Sequence, residues 1–195
     1  MSETAGFQPP IEIRTVAVIG AGVAGRSFAL ACAAAGFYVV LEDVMPAKLR
    51  HAEAEYADAS LQGPYGALEL ATTVEDAVRE ADIVVDFVPD ELESKLEIFS
   101  MIDRMAPPKT ILCTPSYALS ITDLASCVYR PERCVAVRGE LVGRGAAVRL
   151  LYPAAAGEAM LAETGRFLRS LGLVVEAEAD PDVPVLMKNA GRVVV

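Results

Sequence analysis

Tryptophan is missing from the 195-residue chain, and histidine occurs only once, as His51. Aromatic residues make up 6% of the sequence and hydrophobic residues 53%, so a core has to be assembled mainly from Ala, Val, Leu and Ile. A disordered chain lacks that much apolar material to bury; the balance favours a packed α/β protein. The histidine lies in the polar stretch HAEAEYADAS and reads as a helix-surface residue, not as a proton shuttle or a metal ligand. Cysteine is sparse as well. Cys32, Cys113, Cys127 and Cys134 lie far apart with no C-x-x-C pair, which argues against a cysteine zinc site and for reduced thiols.

Positive charge is in short supply. With 27 acidic and 17 basic residues the formal charge is -10, so neither nucleic acid nor an anionic membrane surface is an expected partner. No apolar run reaches the ~18 residues of a spanning helix. The opening segment MSETAGFQPP has neither a basic nor an apolar signal region. The expectation is a soluble, cytoplasmic chain.

What is present is a repeated alternation of short apolar runs and helical segments. Arg14 to Ile19 reads as a strand buried on both faces. Glycines follow at once, then an Ala- and Leu-rich helix from Val23 to Ala35 closed by Gly36, then a strand from Tyr38 to Leu41. A unit of this kind, about 30 residues long, is a βαβ crossover, which joins parallel strands. The pattern continues with a helix from Pro46 to Ala59, a strand from Leu68 to Ala71, a helix from Val74 to Glu80 and the strand IVVDFVP. A helix from Glu91 to Arg104, the strands TILCT, CVAVR and AAVRLLY, a helix from Glu158 to Leu171 and the strand LVVEA complete it. The expected fold is a doubly wound, mostly parallel α/β sheet in a single domain spanning residues 14 to 195, behind a flexible leader of residues 1 to 13.

The segment Gly20-Ala21-Gly22-Val23-Ala24-Gly25 is a G-x-G-x-x-G placed between the first strand and the first helix. In that context the first glycine makes the tight turn, the second lets backbone approach a pyrophosphate, and the third lets helix and strand pack closely. The anion then sits on the helix N-terminus. The second half of this Rossmann-type fingerprint is an acid about 20 positions on, where ribose hydroxyls donate to it. Glu42 and Asp43 stand there. A carboxylate repels a 2′-phosphate and no arginine follows at once, so the cofactor expected is NAD, not NADP. FAD shares the fingerprint, but few residues remain to cover a flavin.

Beyond the glycine turn, the stretches ALACAAAGFYVVLEDV, DFVPDELESK, LSITDLA, RPERCVAV and DVPVLMKN give the chain its resemblance to the NAD-binding domain of the 3-hydroxyacyl-CoA dehydrogenases, from about Arg14 to Asn189. The resemblance implies an oxidoreductase background in fatty acid metabolism. It makes Asp43 the ribose-binding acid and sets Gly20, Gly22, Val23, Ala24 and Gly25 around the cofactor. Asp90, where the family has Glu, and Lys95 match residues that contact the nicotinamide-side ribose; read without the resemblance, both are ordinary solvated helix charges. In the family the domain continues into a helical one that completes the acyl-CoA cleft and forms the dimer. This sequence stops at Val195, so a homodimer or a partner subunit is the expected cover. The tail KNAGRVVV reads as a final strand, an exposed end or a contact for another chain.

The likeness breaks at the catalytic positions. The family's general base is a His, oriented by a Glu about a dozen residues later; the pattern around RPERCVAVRGELV puts Arg138 at the His position and Leu150 at the Glu position. The family's Asn position holds Leu141, and the substrate-binding Ser position holds Tyr117. Asn189 matches an Asn that helps bind substrate. An arginine stays protonated and has no acceptor lone pair, so Arg138 cannot take a proton from an alcohol. Its planar fork suits either an anionic small molecule or a structural salt bridge. Tyr117 is a candidate substitute acid or a residue that fills the pocket.

The sequence therefore supports an NAD-binding protein lacking the family's His/Glu reaction, with an active oxidoreductase on an acyl-CoA-like or hydroxy-acid substrate as the alternative. A glycine turn kept only for packing is the third reading, disfavoured because Asp43 accompanies it.

Overall fold

The computed structural model describes residues 12 to 181. The leader, the tail KNAGRVVV and Asn189 therefore lie outside the described residues, apart from the leader's last two positions. Eight strands form one sheet in the order β3-β2-β1-β4-β5-β6-β7-β8. They are β1 Thr15–Ile19, β2 Tyr38–Glu42, β3 Leu68–Ala71, β4 Ile83–Asp86, β5 Ile111–Pro115, β6 Cys134–Arg138, β7 Ala147–Tyr152 and β8 Val174–Ala179. Every neighbouring pair is parallel except β6 with β7. The helices are α1 Val23–Ala34, α2 Pro46–Ser60, α3 Val74–Val78, α4 Leu92–Met105, α5 Ile121–Ala125 and α6 Glu158–Ser170. The doubly wound, mostly parallel sheet read from the sequence is the architecture observed.

The strands are apolar on both faces because both faces are covered. Along β1, Val16 and Val18 point into one core with Phe28 and Cys32 of α1, Leu49 of α2 and Phe167 of α6. Ala17 and Ile19 point into the other, with Ala77 of α3, Phe99 of α4 and Leu124 of α5. Burying a side chain such as Phe28 contributes about 1.5–3 kcal/mol. The chain winds outward from β1 through β2 to β3, then returns to place β4 on the other side of β1. That reversal opens a crevice at the carboxyl ends of β1 and β4, where open α/β sheets bind their ligands. Edge strand β8 is mostly exposed and carries Glu176 and Glu178, charges that discourage pairing with a further strand.

Two short elements were not foreseen. Helix α5 has five residues and is started by the Ser120 hydroxyl accepting from the Asp123 amide. The 3-10 turn Pro131–Arg133 leads into β6. Cys32, Cys113 and Cys134 are buried free thiols, and burial pushes each of them up. Among the described residues no helix is long and apolar enough to cross a membrane.

Asp82 fastens the entry edge of the sheet. Its Oδ2 accepts from the backbone amides of Arg14 and Thr15, both at 2.9 Å, and its Oδ1 from the Lys109 ammonium. Burial raises this carboxyl, but the bonds from Lys109, Thr15 and Arg14 outweigh it and hold it below the ordinary range. A carboxyl lowered by folding contributes stability above its unfolded pKa and loses it as pH falls through the folded one. Asp82→Asn should therefore destabilise the chain by about 1–2 kcal/mol at neutral pH. In urea unfolding at a series of pH values, that deficit should shrink below about pH 4; a deficit independent of pH would contradict the ionic part of the anchor.

Candidate functional site

The glycine turn is shaped by contacts that leave no alternative residue. Gly20 has φ +98, and a Cβ on Gly25 would fall 1.9 Å from the Gly20 carbonyl oxygen. Helix α1 thus starts in backbone contact with the end of β1, and Phe87, just past β4, closes over both glycines. Gly22 differs. A Cβ there would meet nothing within 4 Å, so the space above it is open. Gly22 is also the N-cap of α1, with no side-chain cap and no acid in the first turn. Uncapped amides facing open space fit an anion such as a pyrophosphate. Val23 follows with 74% of its surface exposed, and Ala24 lines a neighbouring cavity.

At the end of β2 two acids stand together, both buried. The Asp43 Oδ2 accepts from the Ala21 amide and from Lys48 Nζ, at 2.9 and 3.0 Å, while Oδ1 accepts from the Met45 amide at 2.9 Å. Burial raises the Asp43 carboxyl, but the amides of Met45 and Ala21, together with Lys48, hold it below its ordinary range. It is therefore an anion tied to the glycine turn, with lone pairs left for a hydroxyl donor. Glu42 is pushed the other way, first by burial and then by Asp43. The sequence singled out Asp43 and passed over Lys48; an acid and a lysine five apart gave no signal until α2 folded back on the turn.

A cavity of about 360 Å³ opens at the carboxyl ends of β4, β5 and β6, and its walls include Ser27, Phe87, Ser116, Leu141 and Val142. Asp90, Lys95 and Tyr117 also line it. Asp90 is exposed, and its Oδ2 accepts from the Tyr117 amide at 2.9 Å, joining the loops that follow β4 and β5. Lys95 is no solvated helix charge. It is 1% exposed, and its Nζ donates to Asp86 Oδ1 at 2.7 Å. Asp86 is fully buried at the end of β4, and its other carboxylate oxygen has no hydrogen-bond partner among the described residues. Burial raises the Asp86 carboxyl, against the pull of Lys95. The sequence reading missed this pair, although an acid inside the apolar run IVVDFVP was a visible signal.

Tyr117 does not fill the pocket: 74% of it is exposed, at the rim. Arg138 closes β6. It makes no ion pair among the described residues, so the salt bridge expected as one option is not observed there; its hydrogen bond runs from Nη2 to the Leu119 carbonyl at 3.4 Å. Leu150 is 1% exposed and lies opposite Val137, whereas Arg149 lies opposite Arg138. His51 sits on the exposed face of α2, 3.0 Å from Glu55.

Residues 15–138 match the family described as 3-hydroxyacyl-CoA dehydrogenase, NAD binding domain. The probable 3-hydroxybutyryl-CoA dehydrogenase of Bacillus subtilis (strain 168) is 32% identical over 138 residues, which cover 64% of this chain and 48% of that protein. The 5-formyl-3-hydroxy-2-methylpyridine 4-carboxylate 5-dehydrogenase of Mesorhizobium japonicum is 29% identical over 133 residues, covering 63% and 43% of the two chains. Among solved structures, the 3-hydroxyacyl-CoA dehydrogenase of Archaeoglobus fulgidus superposes with a TM-score of 0.72 at 28% identity, covering 91% of this chain and 60% of that one. The chain spans about half the length of the curated relatives it matches.

The Asp86 and Lys95 pair yields a direct test. Removing one partner of a buried ion pair strands the other charge, at a cost of about 3–5 kcal/mol. Lys95→Met should lower the unfolding free energy by that amount at neutral pH. Acidification should narrow the gap, because protonating Asp86 removes the stranded charge; urea unfolding at both pH values would show it.

Proposed function

The chain belongs to the 3-hydroxyacyl-CoA dehydrogenase NAD-binding domain family, and from that premise we propose that it binds NAD(H) without carrying out the family's His- and Glu-based reaction. NAD is the cofactor of the domain. When bound, NAD supplies a hydride acceptor at its nicotinamide ring. In this reading the amides at the start of α1, with Gly20, Gly22, Val23, Ala24 and Gly25, cradle the pyrophosphate. Asp43 receives the adenosine-side ribose hydroxyls through lone pairs that the Ala21 and Met45 amides leave free. Asp90 and Lys95 meet the nicotinamide-side ribose from the wall of the cavity. Asp86 is assigned the positioning of Lys95, since it fixes the ammonium by a buried hydrogen bond.

The observation that carries the reading is the cation at the end of β6. By the resemblance Arg138 falls at the position of the family's general base, and a guanidinium neither accepts a proton nor deprotonates at working pH. His51, the sole imidazole in the sequence, is held on α2 by Glu55. The loss of a general base removes roughly 10² to 10⁴ in rate.

A second reading, an active oxidoreductase on a 3-hydroxyacyl-CoA-like or hydroxy-acid substrate, draws on Tyr117 and Lys95 lining the same cavity. In that case Tyr117 is the substitute acid. NADH formation from 3-hydroxybutyryl-CoA, reduced by Tyr117→Phe, would favour this reading; binding of NAD with no turnover favours the first.

Calorimetric titration with NAD, NADH and NADP tests the cofactor assignment, with NAD and NADH expected to bind more tightly than NADP. Absence of binding at millimolar NAD would overturn it. The glycines sharpen the test. Gly22→Ala should fold with an unchanged melting temperature yet bind NAD at least about tenfold more weakly, because its methyl meets only the bound pyrophosphate. Gly25→Ala, whose methyl meets the Gly20 carbonyl, should instead destabilise the fold by about 1–3 kcal/mol or more.

A further inference from the structure

A second cavity, of about 440 Å³, lies at the end of β6 on the side away from the glycine turn. Arg138, Arg149 and Glu176 line it, and it shares Tyr117 and Gly139 with the cavity beside the glycine turn. The two spaces are therefore neighbours on one rim. Gly139, at φ +126, lets the chain bend away immediately after Arg138, because a Cβ there would stand 2.7 Å from the Ala147 carbonyl.

The register places Arg138 directly across from Arg149 on antiparallel strands, and Arg149 across from Glu176 on β8. Like charges facing each other across a sheet are unfavourable, and the two arginines are not equally compensated. Arg149 Nη1 lies 3.4 Å from Glu178 Oε2. Arg138 has no carboxylate among the described residues: its Nη2 meets only the Leu119 carbonyl at 3.4 Å, and its Nε is buried without a hydrogen-bond partner. A guanidinium normally finds planar acceptors for its fork; among the described residues Arg138 has none.

We propose that Arg138, backed by Arg149, is the recognition site for the carboxylate of a small organic acid held beside the nicotinamide end of NAD. This deepens the NAD-binding reading and rests on it for the placing of the nicotinamide. Charge selects the ligand class. Glu178 offsets Arg149 and Glu176 lines the same cavity, so the site holds no surplus positive charge for a dianionic phosphate, and the unpaired fork of Arg138 matches a monoanionic carboxylate better. The fork of Arg138 takes the two carboxylate oxygens, while the remainder of the acid extends past Tyr117 and Gly139 toward the cleft. The arginine that replaced a base thus orients a ligand.

The test uses the full chain, with and without saturating NADH, titrated calorimetrically with 3-hydroxybutyrate, with its amide 3-hydroxybutyramide and with inorganic phosphate. The acid should bind at least about tenfold more tightly than the amide, and more tightly than phosphate. Arg138→Gln should erase that preference, Arg138→Lys should keep part of it, and NAD affinity should stay unchanged in both. Equal binding of acid and amide, an undiminished preference in a folded Arg138→Gln, tighter binding of phosphate, or no binding of the acid would each overturn the proposal. Should Arg138→Gln fail to fold, the acid-to-amide ratio of the unaltered chain decides. Failure of NAD to bind would sink the cofactor reading alone, since the same ratio measured without nucleotide still reports on Arg138.

Discussion

The contact between Gly25 and the Gly20 carbonyl governs the rest of the molecule. Helix α1 begins where β1 ends with no side chain between them, and this close approach sets the height of α1 above the sheet. The small residues Ala29, Cys32 and Ala33 let α1 stay at that height along its length, fully buried. Phe87 is drawn over the turn from the neighbouring strand and stacks near Phe28, with ring centroids 5.4 Å apart. One backbone contact therefore fixes the N-terminus of α1, the reversal between β1 and β4, and one wall of the cleft.

Around that frame, acids at the strand ends are matched by cations from the following helices or loops. Asp43 meets Lys48, Asp82 meets Lys109, and Asp86 meets Lys95. Asp103, on α4, is likewise held by Arg130 at 2.7 Å. These pairings let buried carboxylates persist in an apolar sheet, where an unpaired charge is costly. Arg138, at the carboxyl end of β6, has no carboxylate bonded to it among the described residues, and neither has Arg133 just before the same strand. What distinguishes Arg138 is its place, since it lines a cavity at the carboxyl end of the sheet.

Much of the architecture was legible because it is encoded locally. The apolar runs of β1 and β4 are unbroken because helices cover both faces, and the alternation of strands with helices led directly to a doubly wound sheet. Helix α5, no longer than α3, was not read from the sequence. Within the site, the glycine turn and Asp43 were visible as a spaced pattern. Lys95 was visible by position but not by environment: its sequence neighbours Glu93 and Glu97 suggest a solvated helix, yet its own side chain turns under the helix to Asp86.

The sequence by itself determined the strand and helix pattern and the glycine turn, since each depends on residue identity at short spacing. Only the tertiary structure decided which charges meet. The antiparallel register of β6 and β7 put Arg149, and not Leu150, across from Arg138; shifting such a register by one residue exchanges the faces of every side chain. That register follows from how the loop between the strands closes and how both strands pack, which counting along the chain does not reveal.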